Sequence, residues 1–222
     1  MKRSPRVGWL ASVALGAWLV ATGAVADARF DRELHAIQQA WAVACYETPA
    51  GEARVQALES LHRRAAALAA AHPERADALV WEGIVLTSEA GARGGLGALK
   101  YAKQARERLE ASSLDLDPAT VGGSAYASLG TLYHKVPGFP VGFGSDAKAE
   151  QFFARALEIN PAGIDVNYFY GEFLLDEGRP EEAAAHLERA LAAPDRPGRA
   201  LADRGRREET RALLAKARSA RS

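Results

Sequence analysis

Tyr126-Ala-Ser-Leu-Gly-Thr-Leu-Tyr133 is followed, after a Pro/Gly-rich break, by Ala149-Glu-Gln-Phe-Phe-Ala-Arg-Ala156 and then by Pro161. Gly130 sits inside an apolar stripe of helical period, where glycine costs about 1 kcal/mol relative to alanine. A glycine is tolerated there when a second helix must approach closely, and Ala149 is the expected small partner. The same pattern recurs on both sides. Downstream, Tyr170-Gly171-x-x-Leu174 precedes Ala183-x-x-x-Leu187-x-x-Ala190 and Pro194; upstream, Leu79-x-x-Glu82-Gly83-x-x-Leu86 precedes Ala98, Ala102, Ala105 and Pro118. Gly171 to Ala183 and Ala149 to Pro161 are 12 residues each, and Pro161 to Gly171 is 10, which together make a 34-residue period.

Working outward, apolar residues recur at three and four rather than two, so the chain reads as helix throughout. Phe30, Leu34, Ile37, Trp41, Ala44 and Cys45 form one face that ends before Pro49 and Gly51. Leu58, Leu61, Ala65 and Leu68 form the next. The expected pairs are 30–46 with 52–71, 75–90 with 95–113, 122–135 with 146–159, and 164–177 with 180–192, closed by a polar cap over roughly 200–219. Taking Ala98 as the partner of Gly83 puts part of that pair's extra length in its second helix, which then runs about two turns long. Another excess, of seven residues, falls between Gly130 and Ala149 on the run Val136-Pro-Gly-Phe-Pro-Val-Gly-Phe-Gly144.

Composition agrees with a packed fold: 222 residues, 48% hydrophobic and 25% charged. The 28 basic and 28 acidic side chains cancel, yet they are unevenly placed. Residues 195–222 hold nine Lys/Arg against four Asp/Glu, and the body from 27 to 194 is acidic. An acidic body offers no footprint for nucleic acid.

Residues 1–26 read as a secretory signal peptide: basic Lys2, Arg3 and Arg6, an apolar stretch from Val7 to Val20, and the small-x-small triplet Ala24-Val25-Ala26. Cleavage after Ala26 is expected, with a retained anchor as the alternative, since the uncharged run from Val7 to Ala26 is long enough to span a bilayer. Export implies a periplasmic protein. Three segments follow: signal peptide 1–26, helical repeats 27–194, and a basic capping helix 195–222. Cys45 is the single cysteine and has no internal disulfide partner; it reads as a small buried hydrophobe.

The Tyr126 to Pro161 pattern resembles a tetratricopeptide repeat, which implies an all-α helical-repeat solenoid of about four helix pairs plus a capping helix. A narrower resemblance is carried by the signal peptide, Gly91-Ala-Arg-Gly-Gly-Leu-Gly-Ala98, Lys135-Val-Pro-Gly-Phe-Pro-Val-Gly-Phe-Gly144 and Asn160-Pro-Ala-Gly-Ile-Asp-Val-Asn-Tyr-Phe-Tyr-Gly171. These look like the periplasmic T-component family of TRAP transporters (TatT-like), whose members are helical-repeat proteins that work beside a solute-binding subunit. Several members are lipoproteins; this chain has no lipidation cysteine after its apolar run, which leaves membrane contact open.

The resemblance implies a protein-interaction scaffold partnered by another periplasmic or envelope protein, such as a transporter's solute-binding subunit. By repeat register, the inner groove takes Asp77, Val80, Trp81, Ile84 and Ser88, then Ala127, Thr131, His134 and Lys135, then Asp165, Tyr168, Phe169 and Glu172. Trp81, Tyr168 and Phe169 read equally well as core. The expected binding surface is Trp81, His134, Lys135, Phe139, Phe143, Tyr168 and Glu172, with the apolar insertion packing on its own repeat or covering the groove. The alternative is a small-ligand receptor with residues 136–144 as its lid over an apolar or carboxylated compound.

Enzymatic patterns are wanting. Gly91 to Lys100 lacks the Gly-Lys-Ser/Thr of a phosphate loop and follows no strand. The five histidines, His35, His62, His72, His134 and His186, form no metal-ligand spacing, and Asp115-Leu-Asp117-Pro118 lacks the third donor and glycine of a calcium loop. No catalytic residue, metal or cofactor is expected.

Overall fold

A computed structural model describes the backbone of residues 12–220 and the side chains from Asp27 onward, apart from 113–115. The basic start at Lys2, Arg3 and Arg6 and the side chains of the cleavage triplet lie outside the described residues. Among those described there are nine α-helices and no strand: α1 Ser12–Tyr46, α2 Glu52–Ala71, α3 Ala76–Arg93, α4 Leu99–Glu110, α5 Thr120–Lys135, α6 Asp146–Ile159, α7 Ile164–Asp176, α8 Pro180–Ala192 and α9 Ala200–Ser219. None of these helices is long and apolar enough to cross a membrane. Local signals set several boundaries. Ser145 accepts from the Lys148 N–H at the start of α6, and Pro180 opens α8, where its missing N–H costs nothing.

Helices pair in sequence, α1 with α2 through α7 with α8, and α1, α3, α5 and α7 stand side by side as an inner row. The expected stripes are the core: Phe30, Ile37 and Trp41 meet Leu58, Leu61, Trp81 and Val85 at one end, and Leu86, Leu109, Leu129, Phe153, Leu174 and Leu187 fill the rest. Burying these side chains is what stacks the pairs, since no pair can cover its apolar face alone. Contrary to expectation, α9 is more than a cap. It packs on α8, on α7 and on α1, joining the last pair to the first.

The mid-helix glycines are close-approach points, but their partners differ from those expected. A Cβ on Gly83 would meet Leu109 at 2.6 Å, one on Gly130 would meet Phe153 at 2.8 Å, and one on Gly171 would meet Leu187 at 2.8 Å. Each glycine therefore seats a large side chain one turn beyond the small residue, and in the second pair that small residue is Ala105 rather than Ala98. The extra length lies mainly in the connection, which holds Gly94 and Gly95 at positive φ and a short 3-10 turn over Leu96–Ala98. From Ala105 to Pro118 is 13 residues against 12 from Ala149 to Pro161. A π-helical turn over Ala111–Leu116 takes up the difference. Immediately after it, Val121, Gly122 and Gly123 are all left-handed, at φ 53, 58 and 72, before α5 becomes regular. Two of those positions suit glycine; Val121 is strained.

Candidate functional site

The inner row and α9 line a partly open cavity of about 610 Å³. Its walls include Trp41 from α1, Leu58 from α2, Trp81 and Ile84 from α3, and Phe169 from α7, with strained Val121 beside them. Trp41 and Trp81 meet edge to face with ring centroids 5.9 Å apart, and the Trp41 indole N–H donates to Ser88 Oγ at 2.8 Å. Cys45 faces the same space; burial pushes its thiol up to about 11, so it stays protonated and inert.

Four arginines ring this apolar space: Arg54, Arg196, Arg199 and Arg206. Two share one carboxylate. Asp165 accepts from Arg196 Nη1 at 2.6 Å and from Arg206 Nε at 2.8 Å. Burial works against the Asp165 charge, yet Arg206 and Arg196 outweigh it and hold the carboxyl well below the usual range. Arg196 also holds Asp203 (2.7 Å), Arg206 holds Glu209 (2.7 Å), and the Arg206 guanidinium lies 4.4 Å from the ring centres of both Tyr168 and Phe169. Arg54 donates to the Thr48 carbonyl. Like Arg54, Arg199 ion-pairs with no carboxylate among the described residues; it lies over the rings of Trp81 (4.7 Å) and Trp41 (5.6 Å). Its Nε and the Trp81 Nε1 are both buried without a hydrogen-bond partner.

Repeat register placed Trp81, Ile84, Ser88, Ala127, Thr131, Asp165 and Phe169 in the groove, and all seven line the cavity. Asp77 instead holds Arg75 at 2.8 Å, and Val80 is fully buried. His134, Lys135 and Glu172 gather elsewhere on the α5–α7 ridge. Lys135 Nζ is 3.4 Å from Glu172 and 2.7 Å from Asp176, and the two His134 ring nitrogens lie 2.9 Å from Asp146 and 3.0 Å from Asp176. His134, Asp146 and Glu177 bring three potential metal-ligand atoms within 4.8 Å of one another, a cluster that sequence spacing does not reveal. Both His134 nitrogens lie within hydrogen-bond distance of carboxylates, and Lys135 pairs with Asp176.

The insertion does not close over the cavity, and the seven residues expected to form the binding surface do not all meet. Phe143 turns toward the second pair, 5.2 Å from Tyr133 and beneath the Arg106 guanidinium at 4.5 Å. Phe139 is 94% exposed. Tyr168 lies under Arg206, away from both. None of residues 136–144 lines the cavity, so the lid reading fails on geometry. What sequence reasoning missed is Arg196, Arg199 and Arg206; the basic excess of residues 195–222 was their signal.

The tetratricopeptide repeat profile matches residues 147–202. No curated protein matches the chain. Phe153, Gly171, Ala183 and Leu187 fall within that span, and the pairs α3/α4 and α5/α6 repeat its glycine contact upstream. The chain thus carries a tetratricopeptide repeat at residues 147–202 within an all-α, tetratricopeptide-like helical-repeat fold.

Proposed function

We propose that the protein is an exported, periplasmic binding protein that holds a small organic ligand on its concave face and serves a partner in the envelope, such as a solute transporter. Tetratricopeptide repeats in general are protein-interaction scaffolds, and this chain carries one at residues 147–202. The observation that carries the ligand reading is the contact of α9 with α1, which bounds a partly open cavity of about 610 Å³, within the range of small-molecule sites. Export rests on Lys2, Arg3, Arg6, the apolar run and the Ala24-Val25-Ala26 triplet. The transporter association rests on the resemblance to T-components. Binding rather than catalysis is proposed, because the cavity pairs no nucleophile with a base: Cys45 is held as the thiol, and no histidine lines it.

Native mass spectrometry of the protein released from periplasm tests this reading. The expected spectrum shows a mature chain beginning at Asp27 and carrying a small-molecule adduct. A stoichiometric protein partner with no adduct, or a protein that no small molecule stabilises, would reduce the function to that of a plain interaction scaffold.

A further inference from the structure

We propose that the ligand is an amphipathic carboxylate, its anionic end held by Arg199 and its apolar body against Trp41, Trp81, Leu58, Ile84 and Phe169; the inference rests on the ligand reading above.

Charge accounting around the cavity leads to Arg199. Arg196 is spent on Asp165 and Asp203, and Arg206 on Asp165 and Glu209. Those same contacts occupy the acids, so nothing is left to receive a cationic ligand. Arg54, which also lacks a carboxylate, gives its Nε and Nη2 to the Thr48 carbonyl, whereas Arg199, half-buried against the indole rings, feels Asp165 and Asp203 only at a distance and its Nε has no acceptor. Burial, and then repulsion from Arg196, push its pKa down from the ordinary guanidinium value, the signature of a cation held where its charge is unfavourable. Native interiors rarely leave such a group without a partner. A carboxylate entering the cavity supplies the missing acceptor for a planar guanidinium and replaces lost hydration with charge-assisted hydrogen bonds.

A second, independent orphan lies beside it. Trp81 is only 2% exposed, lines the cavity, and its Nε1 finds no acceptor. An indole N–H is a donor only, so it too calls for an acceptor in the ligand. Elsewhere the lining mixes hydroxyl and amide groups such as Ser88, Ser128, Thr131 and Asn160 with the aromatic and aliphatic surface of Trp41, Leu58, Ile84 and Phe169, and that apolar surface suits a hydrophobic body and disfavours a small inorganic anion. Strain at Val121, on the same wall, is of the kind that persists at ligand sites.

The test is calorimetric titration of the full mature chain with 3-phenylpropionate and octanoate, with their amides, and with inorganic phosphate, on the unaltered protein and on Arg199→Gln and Arg199→Lys. Melting temperature is read in parallel. The expected result is that a carboxylate binds, its amide binds at least about tenfold more weakly, and Arg199→Gln loses about the same factor, as for a hydrogen bond between charged groups. Arg199→Lys should recover part of the binding and show that the loss is not a folding defect.

Acids and amides binding equally, or carboxylate binding unchanged in Arg199→Gln, would overturn the carboxylate inference and leave the ligand cavity standing. Phosphate binding as tightly as phenylpropionate would overturn the apolar body. If neither acids nor amides bind or raise the melting temperature, the cavity reading itself falls.

Discussion

Replacing Gly205 with alanine tests whether α9 is seated on α1. A Cβ built on Gly205 would lie 2.3, 2.5 and 2.6 Å from three ring carbons of Tyr46, where carbon atoms pack best at about 3.5 to 4.0 Å. Ring or helix must therefore give way by roughly 1 Å. Tyr46 is not free to swing, because its ring meets Trp41 edge to face at 6.0 Å. Alanine in a helix interior gains about 1 kcal/mol over glycine, while overpacking a tight contact costs about 1–3 kcal/mol. The net change is a loss of up to about 2 kcal/mol.

Gly91 gives the opposite sign in the same experiment. It lies in α3 with nothing within 4 Å of its Cβ position, so Gly91→Ala should gain up to about 1 kcal/mol. At about 2–4 °C per kcal/mol for a chain of this size, the two variants should melt roughly 2–12 °C apart, with Gly205→Ala the lower. Hydrogen exchange should show amides of α9 opening first. Equal melting temperatures, or unchanged protection of α9, would mean that the C-terminal helix does not rest on Tyr46, and the cavity would go with it.

Gly144→Ala should be clearly destabilising despite a surface position, since its Cβ would fall 1.8 Å from the Val136 carbonyl oxygen, which is backbone and cannot swing aside; chemical denaturation would read it. Cys45 should resist iodoacetamide at pH 8, reacting on the order of a hundredfold more slowly than in the unfolded chain, because desolvation raises its thiol to about 11; fast labelling would refute its half-buried place on the cavity wall. His186, which lies 2.9 Å from the Asn167 side-chain oxygen, is lowered to about 4 by burial and then by Arg189. The folded chain then resists the proton that the unfolded chain accepts near pH 6.5, so stability should decline as pH falls from about 6.5 toward 4. In His186→Gln that part of the slope should be missing from melts recorded across the range.

Helix pairing was legible because glycine in the middle of an apolar stripe has few other uses; the expected 164–177 and 180–192 became Ile164–Asp176 and Pro180–Ala192. The second pair was misregistered for a local reason. Alanines at 98, 102 and 105 fit one stripe equally well, and only Leu109 against Gly83 tells which turn is seated. For the site, repeat register found seven cavity residues, whereas Phe139 and Phe143, assigned to the binding surface from their apolar loop, lie away from the cavity, Phe143 packing on Tyr133 of its own repeat. Apolar content says that a loop seeks cover, not where: Phe143 found Arg106 and Tyr133, and Phe139 found water. The cavity arginines were invisible as such, since their position depends on α9 meeting α1, a contact between segments some 160 residues apart that no local period encodes.

That contact also changes how the protein should come apart. An open array of repeats behaves as a one-dimensional stack whose end units have one neighbour each and fray first. Here the final helix lies against the first, so the stack is a loop and its terminal units have neighbours on both sides. Losing any pair then severs two interfaces instead of one. Unfolding should approach a single all-or-none event, and an occupant touching α1, α3, α7 and α9 at once would tighten the whole circuit rather than one repeat.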